Sequence, residues 1–219
     1  MSSAEVRRGR ILERISRAAK LAARDPATVQ LVAVSKGRSV RDIEELIEAG
    51  QRDFGENRVQ EAFSKWPPLL VHHQGIRLHA IGRLQSNKAI DALKLFDVIH
   101  SLDRTSLLEA LAKAAEKAER APSIYVQVNI GEEEQKGGCA IPELGDLIDS
   151  VRNSTLKLAG LMAIPPLGLE PAPYFALLAN LARRHGVTGL SIGMSSDFES
   201  AVMLGATAVR IGTAMFEDE

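Results

Sequence analysis

Cysteine occurs once, at Cys139, so no disulfide can close within the chain, and a reducing cytoplasm is the expected compartment. Long apolar runs are missing too. No stretch approaches the roughly 20 residues that span a bilayer, and none follows the charged opening Met1 to Arg10, so neither a membrane span nor a secretory leader is expected. An excess of one charge is also absent: 27 Lys and Arg face 28 Asp and Glu. The whole-chain charge therefore gives no reason to expect nucleic acid or an anionic membrane as partner, and any anion site must be local.

With 219 residues, 45% of them hydrophobic, the chain is long enough to bury one sizeable core. No linker, repeat or low-complexity segment divides it, so a single domain over residues 1–219 is expected. Residues Ala4 to Ala23 show apolar groups near the helical period and predict a leading amphipathic helix. Short β-branched runs then alternate with helical stretches. Strands are expected at Leu31–Ser35, Asp53–Gly55, Arg77–Ile81, Val98–His100, Ser123–Val128, Lys157–Met162, Gly189–Ile192 and Ala208–Ile211. Helices are expected near 39–49, 56–65, 85–94, 103–120, 142–152, 171–185 and 196–204, with Gly50, Gly186 and Gly205 as left-handed stops. Trp66-Pro67-Pro68 and Ile164-Pro165-Pro166 read as loops, and Gly131 to Gly138 as a charged, mobile one. Strict strand–helix alternation implies an α/β fold: a single (β/α)8 TIM-type barrel, its leading helix covering the gap where an eighth trailing helix would sit.

In such a barrel, reactive groups stand at the carboxyl ends of the strands, and phosphate is often held after strands seven and eight. Gly193-Met194-Ser195-Ser196-Asp197 and Arg210-Ile211-Gly212-Thr213 fall there. Ser196 and Glu199 have capping-box spacing, which would aim backbone N–H groups outward, and the glycines would let a ligand approach the backbone. Lys36 ends the first strand. A packed stem there would favour the neutral amine that attacks an aldehyde. Strand alternation turns Arg210 inward with Gly212, where it needs an anion or acceptor; a salt bridge to Glu56 is the plainer alternative.

Several segments resemble the pyridoxal phosphate homeostasis proteins. They are Ala33-Val34-Ser35-Lys36, Phe54 to Glu61, His79 to Lys88, Gly160 to Pro165, Gly193 to Asp197 and Val209 to Ala214. The resemblance implies a barrel related to the N-terminal domain of alanine racemase, binding pyridoxal 5'-phosphate (PLP). It also implies a Schiff base on Lys36, phosphate held by Ser195, Ser196, Gly212 and Thr213, Arg210 facing the pyridine nitrogen, and Asn57 beside the ring. Arg83 stands where a histidine is frequent in the family, and Glu217 where a glycine usually follows the last phenylalanine.

Racemisation needs a second acid/base across the ring from the lysine. The two tyrosines, Tyr125 and Tyr174, fall in a strand and a helix, and a permanently charged arginine beside the pyridine nitrogen weakens the electron sink. The expectation is therefore a non-enzymatic, monomeric PLP holder in cofactor homeostasis or delivery, with PLP-dependent apo-enzymes as recipients. A weak amino-acid racemase is the alternative, and a barrel binding another sugar or nucleotide phosphate without a covalent bond is the third reading. Lys136 is either a second amine at the rim or part of a solvated charge run. His79 and His100 read as hydrogen-bonded core groups, and no ligand spacing for a metal is present.

Overall fold

Eight parallel strands, paired in chain order with the last returning to the first, close a barrel in the computed structural model, which describes residues 2–217. The strands are β1 Gln30–Val34, β2 Asp53–Glu56, β3 Arg77–Ala80, β4 Val98–Leu102, β5 Ser123–Gln127, β6 Lys157–Met162, β7 Leu190–Ser191 and β8 Ala208–Ile211. Val32 pairs with Arg210 and Gly55 with His79, which sets side chains of neighbouring strands side by side in the lumen. The helices are α1 Ser3–Leu21, α2 Val40–Glu48, α3 Val59–His72, α4 Ala89–Leu95, α5 Thr105–Ala118, α6 Leu144–Arg152, α7 Ala172–Arg184, α8 Phe198–Met203 and α9 Thr213–Phe216.

Period-two alternation splits the buried side chains into two cores. Phe54, Leu78, Ile99, Ile124, Leu161 and Val209 face outward and pack beneath the helices. Val98, Tyr125 and Met162 form a separate small cluster, with Ala159 and Ile164 against it. Polar side chains are buried beside it: His79, His100, Ser191 and Arg210.

Helix α1 starts with a capping box: the Ser2 hydroxyl accepts from the Glu5 N–H while the Glu5 carboxylate accepts from the Ser2 N–H. Ile11, Ile15, Ala18 and Ala19 make its buried stripe. It packs on α2, α8 and α9. The gap after β8 is thus shared between α1 and the one-turn α9, rather than left to the leading helix alone.

One local expectation fails. Trp66-Pro67-Pro68 is no loop but lies inside α3. Trp66 is fully buried, its ring centroid 5.0 Å from that of Phe54, and its indole N–H donates to Glu56 at 3.0 Å. Both prolines lie on the exposed side of the helix, where the N–H groups they lack leave carbonyls one turn earlier that water can reach. The stretch from Gly131 to Gly138 is a loop, as expected, and the Asn129 side chain at its start donates to the Glu133 carbonyl and accepts from its N–H.

Candidate functional site

The carboxyl ends of β1, β2, β3, β6, β7 and β8 border a cavity of about 420 Å³. Lys36, Asn57, Ser195, Ser196, Arg210, Gly212 and Thr213, the seven residues singled out from sequence, all line it. Val34, Ile81, Ile164 and Met194 supply apolar walls that sequence reasoning did not select. Ile164 and Ile81 stood within the matching segments, and their positions at strand ends were the available signal.

On one side the wall is a hydrogen-bond donor surface. Gly193 has φ +94°, and a Cβ there would lie 2.7 Å from the Ala201 side chain, so only glycine lets the chain fold back this tightly after β7. The N–H groups of Ser195, Ser196, Gly212 and Thr213 meet no acceptor among the described residues, while the Ser195, Ser196 and Thr213 side chains add hydroxyls. The expected Ser196–Glu199 capping box is absent. Asp197 is the N-cap of α8, its carboxylate accepting from the Met194 N–H at 2.6 Å. Glu199 turns away to Arg14 on α1, at 2.9 Å, where both partners carry charge.

Lys36 stands on the turn after β1 and is exposed, so the packed stem expected from its apolar run is not found. Ser35 takes the buried place instead: its hydroxyl donates to Glu56 Oε1 at 2.7 Å. Arg210 is buried as expected, but not by a carboxylate. Its Nη1 donates to the Ser191 carbonyl at 2.6 Å and its Nη2 to the Ala163 carbonyl at 3.1 Å. Glu56, its suggested partner, is engaged by Lys65 at 2.8 Å. Burial pushes the Arg210 pKa down to about 10, only partly offset by the charge of Asp197. The guanidinium remains a cation at neutral pH, with no carboxylate in ion-pair reach among the described residues.

A larger cleft of about 790 Å³ adjoins the cavity at Asn57 and is edged by Arg58, Arg83, Lys88 and Arg104. Lys136 pairs with Glu133 at 2.6 Å within its charged loop and donates to the Pro165 carbonyl at 3.2 Å, next to Ile164 of the cavity wall. Glu217 pairs with Arg38, and no helix among the described residues is long and apolar enough to cross a membrane.

A closed barrel with an amine, a donor cradle and a buried guanidinium around one mouth cavity defines the class of the alanine racemase N-terminal domain, whose family model matches residues 6–219. The pyridoxal phosphate homeostasis protein of Pseudomonas aeruginosa is 40% identical over 213 residues, covering 94% of this chain and 92% of that protein. Its namesake from Synechocystis is 41% identical, covering 88% and 93%. The solved structure of PipY from Synechococcus elongatus with PLP bound superposes with a TM-score of 0.80 at 39% identity, covering 93% of this chain and all of that one. The chain belongs to the pyridoxal phosphate homeostasis protein family.

Proposed function

We propose that this protein binds PLP in the mouth cavity through a Schiff base on Lys36 and serves as a holder and donor of the cofactor within the cell. The observation that carries this reading is the convergence of Lys36, the donor cradle and Arg210 on one cavity. The fit is chemical. Four N–H groups without internal acceptors, together with three hydroxyls, suit a phosphate monoester, the apolar walls suit a planar ring, and Arg210 suits a neutral ring nitrogen. When bound, PLP supplies an aldehyde that a primary amine can capture reversibly.

Each residue then has a definite task. Lys36 provides the amine, and its exposure keeps it accessible for capture and release. Ser195, Ser196, Gly212 and Thr213 hold the phosphate, and Asn57 borders the ring. Arg210 donates to the ring nitrogen and, being a cation, disfavours a proton there. The cavity lining offers no tyrosine, histidine, cysteine or carboxylate to face Lys36 across the ring, which supports a holder over a racemase. The curated relatives are likewise named for homeostasis rather than for a reaction. PLP-dependent apo-enzymes are the recipients this reading implies.

The test is to mix purified protein with PLP, record its absorbance, reduce with borohydride and map the peptides by mass. The cofactor increment is expected on the peptide holding Lys36 and is expected to vanish in Lys36→Ala. An increment elsewhere, or none, overturns the reading.

A further inference from the structure

A line of hydrogen bonds crosses the barrel interior from the opposite end to Arg210. Asp53 Oδ1 lies 3.1 Å from His79 Nε2, His79 Nδ1 lies 2.9 Å from His100 Nε2, and His100 Nδ1 lies 2.7 Å from the Ser191 hydroxyl. Arg210 Nη1 completes the line at 2.5 Å from the same hydroxyl oxygen. His79, His100 and Ser191 are fully buried.

The two ends dictate the direction of every bond. An ionised Asp53 can only accept, so a neutral His79 donates to it from Nε2 and keeps Nδ1 as an acceptor, while at the other end Arg210 can only donate to the Ser191 oxygen. His100, also neutral, then carries its proton on Nε2 and donates to His79 Nδ1, and its Nδ1 accepts from the Ser191 hydroxyl. Arg77 at 2.8 Å and Gln30 at 2.7 Å hold Asp53 as an acceptor from the other side. Tyr125 stacks on His100 with ring centroids 4.5 Å apart, fixing the plane of that ring. Reversing the line with neutral rings would require a protonated Asp53, which the bonds it accepts from Arg77 and Gln30 oppose.

We propose that Ser191, His100 and His79 are positioning residues: a one-way relay anchored at Asp53 that aims the Arg210 guanidinium at the ring nitrogen of the bound cofactor. The relay rests on the proposed function for the identity of that target, but not for its own existence. The phosphate cradle lies outside it, so the relay governs how the ring is held and leaves phosphate capture alone.

Two measurements test this. In cofactor-free protein labelled with ¹⁵N-histidine, NMR at neutral pH is expected to show His79 and His100 neutral, both protonated on Nε2 and slow to exchange. A proton on Nδ1 of either ring, or an imidazolium, overturns the relay. Ser191→Ala is expected to weaken PLP binding about tenfold, the scale of losing one buried hydrogen bond to a charged group, while the affinity for inorganic phosphate stays unchanged. Ser191→Thr, which keeps the hydroxyl, is expected to restore PLP binding. Unchanged PLP affinity in Ser191→Ala, or parallel loss of PLP and phosphate, overturns the positioning role. Should the unaltered protein form no adduct on Lys36, the proposed function fails, whereas the ring tautomers still decide whether the relay exists.

Discussion

Lys65 Nζ donates to the carbonyl oxygen of Ser35 at 2.9 Å, one residue before Lys36, while sitting 2.8 Å from Glu56 Oε1. The ion pair is buried, with Trp66 and Ser35 also bonded to the same carboxylate oxygen. Truncating one partner strands the other charge in the core. Lys65→Met is therefore expected to cost about 3–5 kcal/mol of stability, read as a lower urea midpoint. A double substitution, Lys65→Met with Glu56→Gln, should recover part of that loss; no recovery would mean that the loss lies in the lysine's bonds to the Ser35 carbonyl and to Glu61 rather than in a stranded Glu56 charge.

Gly82 passes against Asn57 so closely that a Cβ would lie 2.3 Å from the Asn57 carbonyl oxygen and 2.8 Å from its Cα. Both neighbours are backbone, so no side chain can swing aside. Gly82→Ala is expected to force the ends of β2 and β3 apart, costing about 1–3 kcal/mol, and to displace Asn57 from the cavity rim. Thermal melting and PLP titration check the two effects separately.

Cys139 is buried, and burial, reinforced by Glu143, pushes its thiol up to about 12. The thiolate is the reactive form, so native protein at pH 8 should react with a disulfide reagent on the order of a thousandfold more slowly than a free thiol. Urea should restore ordinary reactivity. Rapid modification of folded protein would contradict the buried placement.

Asp53 titrates below the usual carboxylate range: burial pushes it up, but hydrogen bonds from His79 and Arg77 outweigh that penalty. With the folded pKa depressed, the unfolded chain takes up the proton first as pH falls. The contribution is thus fully present above the ordinary aspartate range and is lost as pH drops through the folded value. Asp53→Asn should flatten this part of the acid limb in a plot of unfolding free energy against pH.

Much of this was legible in the sequence because barrel strands and helices are short and locally punctuated. All eight strands appear where β-branched runs predicted them, and Gly50, Gly186 and Gly205 have the positive φ expected of helix stops. The cavity followed from one rule, that strand ends gather at one mouth, and it brought Lys36 and Thr213 together from opposite ends of the chain. What stayed hidden depended on tertiary partners. Local spacing could not show that Glu199 would leave Ser196 for Arg14, or that the two prolines after Trp66 would lie inside a helix. His79 and His100 were readable as core groups, but their contact with each other depends on β3 and β4 register and inward orientation.

Helix α1 grips the far end of the barrel: Arg14 holds Glu199, Arg7 donates to the Met215 carbonyl at 3.1 Å, and beyond the helix Arg24 donates to the Ala206 carbonyl at 2.8 Å. Helix α1 is thus synthesised well before the residues that seat it. On the proposed reading, Lys36 is made long before Ser195 to Thr213, so a partly made chain carries the amine without the cradle. Half-made chains should leave the vitamin pool untouched.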